Sequence, residues 1–283
     1  MSVTASPPGI ARKRFGQHFL EPAWVVKVVR AIAPAPADVF FEIGPGRGAL
    51  TRELAARAAR VTAFEIDRDL AESLREHAPA NLTIVTGDFL RSDWILEHRP
   101  EGPVRVAGNL PYNVASPILF TLTDLYSAGI ALVDATVMLQ REVADRLVAR
   151  PGSKEYGVLS ILIQLTAEVD RLLALPPGAF RPAPRVQSAL VRLRFHPPSP
   201  APRNLETFVG LVKAVFTRRR KTLENALLAF RPWGRPIVSA ILLAAGIDGR
   251  RRPETLAVDE LVRLADASDI PADGLPRRDG AML

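Results

Sequence analysis

Phe40-Phe41-Glu42-Ile43-Gly44-Pro45-Gly46-Arg47-Gly48 joins an apolar strand to the start of a helical pattern. Glycines at i, i+2 and i+4 let the backbone turn sharply and approach a ligand with no side chain in the way. The spacing is not G-x-G-x-x-G, which argues against a pyrophosphate cradle for a dinucleotide. Taken alone, the turn also fits a purely structural β-to-α connection.

Outward from this turn, between Asp38 and about Phe195, short apolar runs alternate with segments of helical spacing, as in an open α/β sheet. The pattern predicts strands at Val39–Ile43, Val61–Glu65, Leu82–Thr86, Val104–Ala107, Thr136–Leu139, Val169–Leu175 and Ser188–Phe195. It predicts helices at Leu50–Ala59, Leu70–His77, Ser116–Leu125 and Glu142–Ala149. The Pro-rich loop Pro176–Arg185 leaves no room for a crossover helix, so the last two strands should pair antiparallel.

The second strand ends in Glu65, 21 residues past Gly44. A carboxylate there can accept two hydrogen bonds from the ribose hydroxyls of an adenosine cofactor. The third strand runs into Gly87-Asp88, where a carboxylate could accept from an adenine amino group. Either acid alone also reads as an N-cap or a surface residue. With the glycine turn, the two fit an adenosine bound across the C-terminal edge of the sheet.

The fourth strand leads into Asn109-Leu110-Pro111-Tyr112. An exocyclic adenine amine is a poor nucleophile because its lone pair is delocalised into the ring. Acceptors placed on its two hydrogens favour the pyramidal form that can attack a methyl group. The Asn109 side-chain oxygen and the Leu110 carbonyl can supply them, with Pro111 fixing the turn and Tyr112 stacking on the base. As a bare four-residue pattern, N-x-P-Y is also an ordinary turn.

Composition excludes several other chemistries. The 283 residues, 48% apolar and 24% charged, suit a globular protein. Cysteine is absent, which removes disulfides, thiolate zinc sites and cysteine nucleophiles together. The four histidines (His18, His77, His98 and His196) have no H-E-x-x-H spacing, so no histidine-bound catalytic metal is expected. Apolar runs such as Ile237–Ile247 are too short and interrupted to span a bilayer, and Met1–Gly16 has no apolar core of a signal peptide. A soluble, cytoplasmic protein is the expectation.

Of the net charge of +7, all lies between Arg203 and Glu254, where eleven basic residues face four acidic ones. The dense runs are Arg218-Arg219-Arg220-Lys221 and Arg250-Arg251-Arg252. Arginine forks suit phosphate oxygens, so nucleic acid is one reading and a solvated helix face is the other. Before this region, His196-Pro-Pro-Ser-Pro-Ala-Pro202 reads as a stiff linker. After it, helical patterns fall at Leu205–Thr217, Thr222–Leu228, Ile237–Ala245 and Val258–Ala267.

Together these residues resemble the ribosomal RNA adenine N6,N6-dimethyltransferases, and within them the bacterial small-subunit branch. The likeness runs from Arg14 to about Ala265. It includes Arg14-Phe-Gly-Gln-His-Phe-Leu20, Glu42-Ile-Gly-Pro-Gly-Arg-Gly48, Glu65, Gly87-Asp88 and Asn109-Leu-Pro-Tyr112. It continues through Gln140-Arg-Glu-Val-Ala-Asp-Arg146, Pro151-Gly-Ser-Lys-Glu-Tyr-Gly157, Phe180-Arg-Pro-Ala-Pro-Arg-Val186 and Phe216-Thr-Arg-Arg-Arg-Lys-Thr-Leu223. The chain departs from the family where His18 replaces a frequent Asn, and where Arg185 and Gln187 replace Lys and Asp.

The resemblance implies an α/β fold: a seven-stranded, Rossmann-like S-adenosylmethionine methyltransferase sheet with a small C-terminal all-helical domain. The implied organisation is an arm carrying a cofactor lid (1–37), the methyltransferase domain (38–196), a linker (197–202), a helical RNA-binding domain (203–270) and a flexible tail (271–283). His18 and Leu20 would close over the methionine part of S-adenosylmethionine, Gly44 would lie under it, Glu65 would hold the ribose and Asp88 the adenine. Asn109 would bridge cofactor and target amine, Phe180 would lie near the flipped base, and Arg218, Arg219, Arg220 and Lys221 would contact RNA. The implied partner is small-subunit rRNA in a 30S assembly intermediate, met by a monomer with no metal and no membrane. An assembly factor with secondary methylation, and a large-subunit rRNA methylase, are the competing readings.

Overall fold

The computed structural model describes residues 17–91 and 101–269. The elements run β1 (Phe19–Leu20), α1 (Pro22–Ile32), β2 (Val39–Ile43), α2 (Ala49–Ala55), β3 (Arg60–Glu65), α3 (Arg68–Arg75), β4 (Leu82–Thr86) and β5 (Val104–Asn109). They continue with α4 (Ala115–Ser127), β6 (Leu132–Gln140), α5 (Arg141–Leu147), α6 (Val158–Gln164), β7 (Ala167–Leu175), β8 (Phe180–Arg181) and β9 (Ser188–Phe195). Last come α7 (Leu205–Phe216), α8 (Leu223–Leu227), α9 (Arg235–Ala245) and α10 (Val258–Ser268).

Seven strands form one sheet in the order β4-β3-β2-β5-β6-β9-β7. The strands from β4 to β6 pair in parallel, and β9 lies antiparallel between β6 and β7. Every predicted strand is present, and the last two pair antiparallel as the short Pro-rich link requires. Four begin or end further out than the apolar runs suggest. β6 reaches back to Leu132 because buried Asp134 is met by Arg105 from β5, at 2.9 Å, and by Arg192 from β9. A buried carboxylate interrupts the apolar pattern but not the strand.

The arm before the sheet holds a helix that the strand pattern did not announce. In α1, Val25, Val28, Val29 and Ile32 are buried on one face, with Pro22 in the first turn, where its missing N–H leaves no bond broken. Its last carbonyls are capped from the sheet: Arg105 donates to Ile32 (2.8 Å) and Ala33 (3.1 Å), and Arg192 donates to Ile32 (3.2 Å). Ahead of it, β1 pairs antiparallel with β8, so Leu20 lies opposite Phe180.

The chain divides into two compact units. One contains the sheet, with residues up to 148 and 167–196; the other contains 149–166 together with the chain from 197. The expected continuous domain 38–196 is therefore interrupted. Ala149, Tyr156, Ile161 and Leu165 are buried among Phe208, Leu211, Val212 and Leu256, because this segment's apolar side chains find their partners in the helical core. Tyr156 donates to the Leu256 carbonyl at 3.0 Å, and the Gly152 N–H donates to the Glu254 carbonyl at 2.7 Å. Residues 17–37 belong to the sheet unit. Positions 197–202 form neither helix nor strand. The expected tail, 271–283, and the first part of the arm, 1–16, lie outside the described residues.

Candidate functional site

Parallel strands end together, so whatever follows β2, β3, β4 and β5 gathers along one edge. There the sheet unit holds a cavity of about 1070 Å³, counting its open mouth. His18, Leu20, Gly44, Glu65, Asp88, Asn109, Leu110, Pro111 and Tyr112 all line it. Residues from five separate stretches of sequence are thus brought to one place.

The glycine turn is shaped by contact. Gly46 has φ +58°, and a Cβ there would come within 3.1 Å of the Phe19 ring. The Arg47 guanidinium lies over that ring, 4.2 Å from its centroid. The Phe19 segment therefore rests on bare backbone.

Glu65 is 4% exposed. Its Oε2 accepts from the Gly46 N–H and its Oε1 from the Asp67 N–H, each at 2.9 Å. Burial pushes its pKa up, while these bonds pull it back. A carboxylate can accept about four hydrogen bonds, so capacity remains for hydroxyls in the cavity. Asp88 is fixed by the Leu90 N–H, which donates to its Oδ1 at 3.0 Å.

At the end of β5, Asn109 donates from Nδ2 to the His18 carbonyl at 2.6 Å. That bond fixes which end of the amide is which and leaves Oδ1 as the acceptor. The His18 imidazole stacks on Tyr112, with centroids 5.4 Å apart and planes at 25°. Its Nδ1 lies 2.7 Å from the Pro182 carbonyl. The Tyr112 hydroxyl pairs with Ser188 at 2.6 Å, and burial raises its pKa.

Phe180 differs from expectation. It is 1% exposed, packed with Val25, Met138 and Leu190, and absent from the cavity lining. The surrounding prolines suggested an open loop, but pairing with Leu20 draws the residue into a strand and its ring into the core. Several lining residues carry no role in the sequence reading: Glu42 on the wall, quoted only as part of its motif, and Ile66 and Phe89 beside the two carboxylates. Ile66, 45% exposed at the mouth, directly follows Glu65. That position was a usable signal.

The basic run lies in the helical unit. Arg219 donates from Nε to Glu254 at 2.8 Å and from both terminal nitrogens to the Lys154 carbonyl at 3.1 Å. Arg251 is similarly held by Glu260 and the Thr255 carbonyl. Arg218, Arg220 and Lys221 are exposed and form no ion pair with another described residue. Arg218 and Lys221 line a shallow depression with Asn225.

The groups present suit an adenosine-bearing cation: the buried, fixed carboxylate of Glu65, the half-buried one of Asp88, apolar walls, and one carboxylate oxygen, Glu42 Oε2, with no hydrogen-bond partner. Among the described residues, no cluster of three or more His, Asp or Glu could hold a metal ion. None of their helices is long and apolar enough to cross a membrane.

Comparison with known proteins gives concordant matches. The model of the family described as ribosomal RNA adenine dimethylase matches residues 10–266. A relative from Alcanivorax borkumensis, "Ribosomal RNA small subunit methyltransferase A", is 43% identical over 265 residues, covering 93% of this chain and 91% of its own. Among solved structures, a dimethyladenosine transferase from Plasmodium falciparum has a TM-score of 0.72 at 23% identity, covering 87% of this chain and 96% of that one. The 23S rRNA methyltransferase ErmE has a TM-score of 0.65 at 29% identity, covering 89% and 100%. The first of these two likenesses bears on fold alone.

Proposed function

The chain belongs to the ribosomal RNA adenine dimethylase family, and from that premise we propose that it dimethylates the N6 amines of two adjacent adenosines near the 3′ end of small-subunit rRNA. The cofactor in this reading is S-adenosylmethionine, and the substrate is a 30S assembly intermediate met by the monomer. The small-subunit assignment is supported by relatives named for that rRNA, which are more similar than the chain named for 23S rRNA.

One observation carries the chemistry: the amide of Asn109 is locked by the His18 carbonyl, with its oxygen left to accept. An adenine swung out of its strand could place one amine hydrogen on that oxygen and the other on the Leu110 carbonyl. Both acceptors favour the pyramidal amine and strengthen as positive charge develops on nitrogen. Tyr112, anchored by Ser188, is the stacking partner for the base. When bound, S-adenosylmethionine supplies the methyl group as a sulfonium. Glu65 and Asp88 hold its ribose and adenine, and Gly44, His18 and Leu20 enclose its methionine part. Phe180, opposite Leu20, supports that enclosure from the core.

The helical unit supplies affinity. Arg218, Arg220 and Lys221 would take phosphate oxygens, while Arg219 braces the loop that presents them.

The test is incubation with tritiated cofactor and small subunits from a strain lacking the modification, followed by nucleoside analysis. Labelled N6,N6-dimethyladenosine is expected, and Asn109→Ala should cut its rate of formation by on the order of a hundredfold or more while leaving cofactor binding largely intact. Labelling of another nucleoside, or undiminished transfer by the variant, would overturn the reading.

A further inference from the structure

Glu42 takes no part in the steps above, yet it is the most unusual group in the cavity. It stands on β2, 1% exposed, between Ala63 on β3 and Ala107 on β5. Its Oε2 has no hydrogen-bond partner, and neither does the hydroxyl of Thr51, a fully buried neighbour on α2. A buried carboxylate with an oxygen left without a donor is costly unless a cation arrives or a proton stays.

The groups facing it do not settle that charge. Desolvation is the largest influence and raises its pKa. Thr51 lowers it without a sound hydrogen bond, Glu65 raises it by repulsion, and Arg52 lowers it more weakly. Together they leave it at about 8. Its two strand neighbours at this level are alanines, so no compensating charge comes from β3 or β5.

We propose that Glu42 is the counter-charge for a cationic cofactor, held as the neutral acid in the free protein and ionised as the cation enters, so that cofactor capture releases a proton. The carboxyl O–H bond breaks, the proton passes to solvent, and the electron pair stays on the carboxylate. No bond to the cofactor forms. The inference rests on the S-adenosylmethionine reading of the cavity and deepens it.

Titration calorimetry of the full chain with S-adenosylmethionine, in two buffers of different ionisation enthalpy near pH 7, measures the proton directly. Wild type should release close to one proton, with affinity rising by up to about tenfold per pH unit below the group's pKa. Glu42→Gln should release none and bind with a flat pH dependence, and Glu42→Asp should restore the release. In parallel, the infrared carbonyl band of a protonated carboxyl should be present in the free wild type, vanish on cofactor addition, and be missing from Glu42→Gln. Binding without proton release, or equal release by Glu42→Gln, would overturn this proposal and leave the cofactor assignment standing. No binding by wild type would overturn both.

Discussion

The cavity and the basic run handle charge in opposite ways. In the cavity, Glu42 and Glu65 are buried, and Glu65 is held by backbone N–H groups. In the run, Arg218, Arg220 and Lys221 stand in solvent with no described ionic partner. Charges fixed in a low dielectric act strongly over short range and are little screened. Exposed ones act on a polyanion through counterion release and weaken steadily as salt rises. In the function proposed, the contrast suits one unit to recognition of a small cation and its chemistry, and the other to salt-dependent grip on RNA.

The largest effect should come from Asn109→Ala. Losing a preorganised acceptor aimed at developing charge costs on the order of a hundredfold to a thousandfold in rate. That deficit should be the same at low and high salt in single-turnover assays with saturating RNA. A deficit that shrinks with salt would put Asn109 on the affinity side of the comparison.

The triple variant Arg218→Ala, Arg220→Ala, Lys221→Ala should behave in the reverse way. Its maximal rate should hold while RNA affinity falls, most at low salt. The slope of log affinity against log salt should shallow by about 2 if each residue meets one single-strand phosphate. An unchanged slope would return the run to a merely solvated face.

Much of the cavity was legible because its parts are local. Parallel strands covered on both faces are near-continuous apolar runs, and the residues that close them, Gly44, Glu65, Asp88 and Asn109, all line the cavity. What escaped depends on distant partners. The burial of Phe180 comes from its pairing with Leu20, and the role of Arg219 from Glu254 and Lys154. Residues 149–166 join the helical unit through tertiary packing that no local period encodes. Helix α1 is a different case. Pro22 and the spacing of Val25, Val28, Val29 and Ile32 were present in the sequence, on a stretch read only as an arm.

A third effect concerns stability in the absence of ligands. Glu42 keeps its proton in the folded state up to about 8 but loses it near 4.5 when unfolded. Its contribution is complete below the lower value and is lost as pH rises through the higher one, by up to about 1.4 kcal/mol per pH unit in between. Melting temperatures of Glu42→Gln and wild type should therefore diverge in favour of the variant as pH is raised from 5 to 8. Parallel curves would mean that the carboxyl is already ionised in the fold.

The smallest effect should separate two adjacent arginines. Arg219 makes one ion pair and two bonds to a carbonyl, and its side chain is about one-third exposed. Solvent screening holds such a pair to about 1 kcal/mol or less, with the carbonyl bonds adding a similar amount. Arg219→Ala should thus lower the melting temperature by a few degrees, whereas Arg218→Ala should leave it unchanged. RNA binding should respond in the opposite order, with the salt slope altered by Arg218→Ala and nearly untouched by Arg219→Ala at a temperature where both variants are folded. If the two substitutions prove interchangeable in both assays, the division between bracing and contacting arginines fails, since their side chains differ only in what the fold has placed beside them.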